Sequence, residues 1–167
     1  MQGRQRDEYE WLFRATYPTV LRTVFLITRD HSRAEEVCQD AYLQLLEHWS
    51  RVSDYERPEA WVRKVAVRMA IRVSSREQRR VALEVAGRNI GGETRVEHWP
   101  DVDLARALAS LAPMQRAAVV LYYFEDRPVL EVARVLQVST STVKQHLHRA
   151  RQRLAELLGE EVTEDVC

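Results

Sequence analysis

Five residues near the C-terminal end carry the strongest chemical signal in the chain: Lys144, Gln145, His148, Arg149 and Arg151. Amide and guanidinium donors are the groups that pair with base edges and phosphate oxygens. At helical spacing they fall away from Val143 and Leu147, so they form the outward side of one helix. A second set, Lys64, Arg68, Arg72, Arg76 and Arg80, recurs every four residues. That spacing makes a basic ridge drifting slowly around a helix. Only Glu77 offers it an in-helix ion-pair partner, and phosphate contact is the reading we favour. Just upstream the charge reverses. Residues 35–59 hold seven carboxylates against Arg51 and Arg57. One face is therefore suited to a polyanion and another to a basic partner.

Other chemistries find no support. His146 and His148 sit two apart on a helix and diverge, while His31, His48 and His98 are scattered, so no metal site is expected. There is no Gly-rich phosphate loop, and no cofactor is implied. Carboxylate pairs lie on exposed helix faces. Neither an enzyme nor a metalloprotein is expected.

The elements that must position these residues are helices. The stretch from Asp7 to Thr28 is apolar-periodic, and Pro18 inside it predicts two short helices with the break at the proline. Ser32 and Glu35 have the spacing of a capping box. The helix behind them puts Ala34, Val37, Cys38, Ala41, Leu45 and Trp49 on one face, so Cys38 reads as a small buried hydrophobe. Residues 50–57 read as a polar loop. Pro58 opens a long helix whose apolar face is Trp61, Val62, Val65, Ala66, Met69 and Val73. In the second block, a helix from Pro113 to Phe124 precedes a short one starting at Pro128 and ending near Leu136. A tight connection at Gln137 leads to a helix over 140–158 with Ser139 as N-cap. Ala133, Gln137 and Val143 match the small residue, turn and branched apolar residue of a helix-turn-helix.

The fold class expected is all-α: two small helical domains, 1–80 and 104–158, joined by an extended linker, 81–103, and followed by an acidic tail, 159–167. The linker holds three of the five glycines and is net acidic. Total charge is zero, from 25 basic and 25 acidic residues. With 46% hydrophobic and 30% charged residues the composition is that of a globular chain. The longest apolar run, Ala117 to Phe124, is far short of the roughly 20 residues that span a bilayer. The opening MQGRQRDEYE has no apolar stretch after its charges, so no secretory signal and no membrane insertion are expected, and a cytoplasmic location is. Two cysteines are too few for a disulfide framework.

Three runs in order, residues 34–42 (AEEVCQDAY), 60–66 (AWVRKVA) and 142–151 (TVKQHLHRAR), resemble the extracytoplasmic-function sigma factors of bacterial RNA polymerase, and the likeness covers about residues 8–158. The resemblance implies a promoter-specificity subunit with no catalysis of its own. Glu35, Glu36, Gln39 and Asp40 would dock on the clamp of the largest polymerase subunit. The flap of the second subunit would be a further contact. Residues 50–59 would capture a flipped base of the minus-ten element, with Tyr55, Trp61, Lys64, Arg68, Arg72 and Arg76 on that DNA. Thr142, Lys144, Gln145, His148, Arg149 and Arg151 would read the minus-thirty-five element. An anti-sigma factor would be a further partner. Arg68 and Arg72 stand where the family commonly has Asn and Asp, and Gln137 stands where it usually has Gly. The alternative is a stand-alone helix-turn-helix regulator whose first block serves dimerisation or sensing.

Overall fold

A computed structural model describes residues 3–87 and 102–158. The described residues are helical with no strand, and the chain divides into two compact units at Arg80–Val81.

The N-terminal unit opens with α1 (Gly3–Thr28), a single helix with Pro18 inside it rather than the two short helices expected. A mid-helix proline loses one backbone hydrogen bond and costs about 3 kcal/mol. Here an unbroken apolar face spans the site: Leu12, Val20, Val24 and Ile27 are all buried, and they hold both halves in one line. Arg29 then takes a left-handed backbone (φ 61°), which reverses the chain.

Helix α2 (His31–Glu47) is capped by Asp30, whose carboxylate accepts from the Arg33 N–H at 2.9 Å. The Ser32–Glu35 capping box is therefore not formed, because the turn at Arg29 delivers Asp30 to the N-cap position and leaves Ser32 inside the helix. The predicted apolar stripe is the buried one, with Ala34, Cys38, Ala41 and Leu45 fully enclosed.

The expected polar loop is shorter than read. Trp49 and Val52 are both buried and wind α3 (Trp49–Val52), leaving residues 53–57 as the turn. Helix α4 (Pro58–Gly87) is tied back at two places. The Ser74 hydroxyl donates to the Ile27 carbonyl at 3.3 Å, and Arg33 pairs with Glu77 at 3.0 Å. Helix α4 also runs seven residues beyond Arg80, where an extended linker was expected. Ala82, Leu83, Glu84 and Ala86 are strong helix formers, and the first helix-stopping residue is Gly87. The rest of the linker, 88–101, and the tail, 159–167, lie outside the described residues.

The C-terminal unit begins with α5 (Val102–Ala109), which the sequence reading did not identify. Its end is held by Arg116, a charged residue only 6% exposed. The Arg116 Nε donates to the Leu108 carbonyl and its Nη2 to the Leu111 carbonyl, each at 2.9 Å. The Leu108 carbonyl, in the last turn of α5, also accepts from the Leu111 N–H at 3.3 Å, and Leu111 lies just past the helix, so the guanidinium ties that end down as a buried cap. Helix α6 (Pro113–Val119) passes into a π-helical turn over Val120–Phe124, so the single helix expected from Pro113 widens partway. Helix α7 (Val129–Leu136) and helix α8 (Thr140–Leu158) form the predicted helix-turn-helix. Val132, Ala133 and Leu136 face Val143, Leu147 and Ala150, all of them buried.

Gln137 makes the turn with φ 56° and ψ 45°. A residue with a Cβ pays roughly 1 kcal/mol in this region relative to glycine. Gln137→Gly is thus expected to raise the melting temperature of this unit by about 4–8 °C. Thermal unfolding followed by circular dichroism checks it. A fall in melting temperature would mean that the glutamine side chain outweighs the strain.

Candidate nucleic-acid and partner interfaces

The outward side of α8 is assembled from its N-cap. Ser139 Oγ accepts from the Thr142 N–H at 3.1 Å and lies 2.8 Å from the Thr142 hydroxyl. Thr142 is half-buried and committed to this cap, so of the predicted set it presents the least surface. Lys144, Gln145, His148, Arg149 and Arg151 are all exposed, as the spacing predicted. Two residues that the sequence reading passed over share the stripe. Ser141 and Gln152 are exposed and extend Gln145 and His148 at steps of four, three and four. The signal was present in the spacing, but both are uncharged and drew no notice. His146 turns to the other side, half-buried. Desolvation lowers its pKa, and it is kept out of the outward set.

On α4 the basic ridge splits by depth. Arg72 and Arg76 are exposed, while Lys64 and Arg68 are half-buried. Glu77 does not neutralise the ridge evenly. It takes Arg80 at 2.7 Å and Arg33 at 3.0 Å, and the Arg80 hydrogen bond, followed by Arg33, holds its carboxyl below the usual range. Lys64, Arg72 and Arg76 form no ion pair among the described residues. Tyr55 stands exposed in the turn before α4, and half-buried Trp61 packs its ring 5.8 Å from that of His48.

On α2, Glu35, Glu36, Gln39 and Asp40 are all exposed, opposite the buried stripe. Glu35 is engaged with His31 at 3.5 Å, whereas Glu36 and Asp40 carry no ion pair among the described residues. The face also holds Leu43, 57% exposed, and Leu46, 39% exposed, which the sequence reading missed. Leu43 lies seven residues past Glu36, two helical turns along the same line. An acidic rim around an apolar centre fits a partner surface better than open water.

Among the described residues no three His, Cys, Asp or Glu side chains converge for a metal. Cys38 is fully buried, and desolvation pushes its thiol up to about 12, so it stays protonated. No helix of the described residues is long and apolar enough to cross a membrane.

Residues 12–80 match the sigma-70 region 2 family, and residues 101–154 match the sigma-70 region 4 family. The two matches fall on the two units in order, which defines a promoter-specificity subunit of the sigma-70 kind. The chain is 30% identical over 152 residues to an RNA polymerase sigma-E factor of Streptomyces antibioticus, covering 90% of this chain and 84% of that one. It is 26% identical to the sigma factor SigV of Bacillus subtilis over 129 residues, covering 77% and 78%. The fold matches the sigma factor RpoE of Bartonella quintana, solved with the anti-sigma factor NepR, with a TM-score of 0.66. That match has 22% identity and covers 93% of this chain and 99% of that one. The chain belongs to the extracytoplasmic-function sigma factors of RNA polymerase. The region 2 match over residues 12–80 occupies the block that a stand-alone regulator would give to dimerisation or sensing, so that alternative is set aside.

Proposed function

We propose that this sigma factor divides its work among three helix faces and performs no catalysis itself. The outward face of α2, with Glu35, Glu36, Gln39 and Asp40 around Leu43, docks on the clamp of the largest polymerase subunit. The turn at Tyr55 and the Trp61, Lys64, Arg68, Arg72 and Arg76 side of α4 take the minus-ten element. There an aromatic and a basic surface can hold a single strand. Helix α8 enters the major groove of the minus-thirty-five element through Gln145 and His148, with Lys144, Arg149 and Arg151 towards phosphates and Thr142 at the cap. The C-terminal unit leans on the flap of the second subunit. An anti-sigma factor is a further expected partner, in keeping with the NepR complex of the Bartonella neighbour. The working place is the cytoplasm.

The observation that carries this reading is the outward stripe of α8, bare and flanked by cations, in a chain whose net charge is zero. A protein binding DNA unaided draws most of its affinity from neutralised phosphates. With no surplus charge, this chain needs polymerase core to bring it to the promoter. Run-off transcription with core enzyme tests it: promoter-specific transcripts are expected with core, and weak promoter binding without it. Tight, salt-resistant binding by the isolated chain would overturn the reading.

The faces of α8 separate in the same assay. Gln145→Ala is expected to relax preference at one base pair and cost about 1–3 kcal/mol on the preferred sequence. Lys144→Ala is expected to weaken all sequences alike and to lower the salt slope by about one. A uniform loss from both substitutions would remove Gln145 from base reading.

A further inference from the structure

An indole stands in water on α1 of the N-terminal unit, a helix that carries none of the three faces above. Trp11 is 72% exposed, the most open aromatic side chain among the described residues after which only Tyr55 and Tyr123 come near half. It forms a ridge between two hollows. The larger, of about 470 Å³, has Trp11, Leu12, Trp49 and Pro58 as apolar walls. The smaller, of about 450 Å³, runs along the other side of the same ring past Glu10 and Ala15. Trp49 contributes a second observation. It is 4% exposed, and its buried indole N–H has no acceptor among the described residues. Its ring stands edge-on to Tyr9 at 5.4 Å, so the wall it gives the hollow is a fixed apolar one.

The charge at the rim selects the occupant. Asp7 borders both hollows and forms no ion pair among the described residues. Glu8 borders the larger one, held at 3.2 Å by the exposed Arg4, a surface pair worth little. Among the described residues the one cation lining either hollow is Arg14, in the smaller, and it leans towards Glu10 at 3.9 Å. Carboxylates at the mouth repel a phosphate backbone, so a nucleic acid is the wrong ligand. An arginine or lysine beside an apolar residue is the right one. Its cation stacks on the open face of Trp11 and meets Asp7, and its apolar neighbour fills the space over Leu12 and Pro58.

We propose that this groove is a docking site for a basic–apolar segment of a partner protein. The site does not depend on the assignments of α2, α4 and α8. It does touch one of them. Ser53 lines the larger hollow and begins the turn that carries Tyr55. A segment seated there lies against the base of that turn and is placed to influence it.

The full chain is titrated with a short peptide alternating arginine with leucine, while the indole N–H resonance of Trp11 is followed. The peptide is expected to shift that resonance, and the affinity to fall about tenfold in Trp11→Ala, read on neighbouring amides, and in Asp7→Asn. Both substitutions are at the surface and leave melting temperature and core-dependent transcription unchanged. The matching glutamate–leucine peptide is expected to leave the resonance in place. The proposal is overturned if the arginine peptide causes no shift, or if the glutamate peptide binds equally. It is also overturned if an oligothymidylate moves Trp11 in place of the peptide, or if the resonance moves with protein concentration alone.

Discussion

A chain carrying Glu36→Lys and Asp40→Lys is expected to lose binding to core polymerase by at least about a hundredfold. Like charges forced together across an interface cost several kcal/mol, and each 1.4 kcal/mol is a factor of ten. Both carboxylates are exposed and carry no ion pair among the described residues, so their reversal breaks nothing inside the unit. The stripe that holds α2 in place, Ala34, Cys38, Ala41 and Leu45, lies on the opposite side. The melting temperature should therefore hold while holoenzyme assembly fails, and run-off transcripts should vanish with it. Fluorescence anisotropy against labelled core measures the loss. Leu43→Ala is a milder probe of the same face, since it removes an apolar contact without adding charge. If the double reversal binds core as the unaltered chain does, the docking face lies elsewhere.

The second large effect concerns Arg116. Replacing it with alanine removes two charge-assisted hydrogen bonds, each worth about 1.5–3 kcal/mol, takes the guanidinium from the Leu111 carbonyl and leaves the Leu108 carbonyl with only the Leu111 N–H. A unit of this size has a total stability of roughly 0.05–0.15 kcal/mol per residue, so the loss is comparable with the whole. Arg116→Ala is expected to unfold the C-terminal unit at physiological temperature. Hydrogen exchange along α8 should rise to that of an open chain, and minus-thirty-five binding should go with it, while α2 still binds core. Arg116→Lys should recover only part, because a single ammonium cannot reproduce the fork that reaches two carbonyls. Normal protection of α8 in Arg116→Ala would show that α5 is dispensable.

Arg116 also illustrates where the sequence stops being readable. It stands just before the apolar run Ala117 to Phe124, and nothing in the local pattern singles it out. Its burial goes with the carbonyls of Leu108 and Leu111 at the end of α5, an element the sequence reading did not identify. Pro18 failed in the opposite sense. The local rule for proline is sound, but burial of Leu12, Val20 and Val24 on one line outweighs it. The helix-turn-helix was legible because small, turn and branched residues sit at fixed offsets, and the structure places Ala133, Gln137 and Val143 accordingly. Charged members of each face were legible too. Leu43, Ser141 and Gln152 were not, since a leucine in an apolar-rich helix and small polar residues in a basic one carry no contrast of their own. The Trp11 groove was out of reach, because it joins α1 to α3 and the start of α4 across residues far apart in the chain.

The sealed position of Cys38 bears on how this factor can be switched. A thiol held protonated by its surroundings is a poor target for peroxide or disulfide exchange, because the thiolate is the reactive form. Thiol oxidation at Cys38 therefore offers no switch in the N-terminal unit.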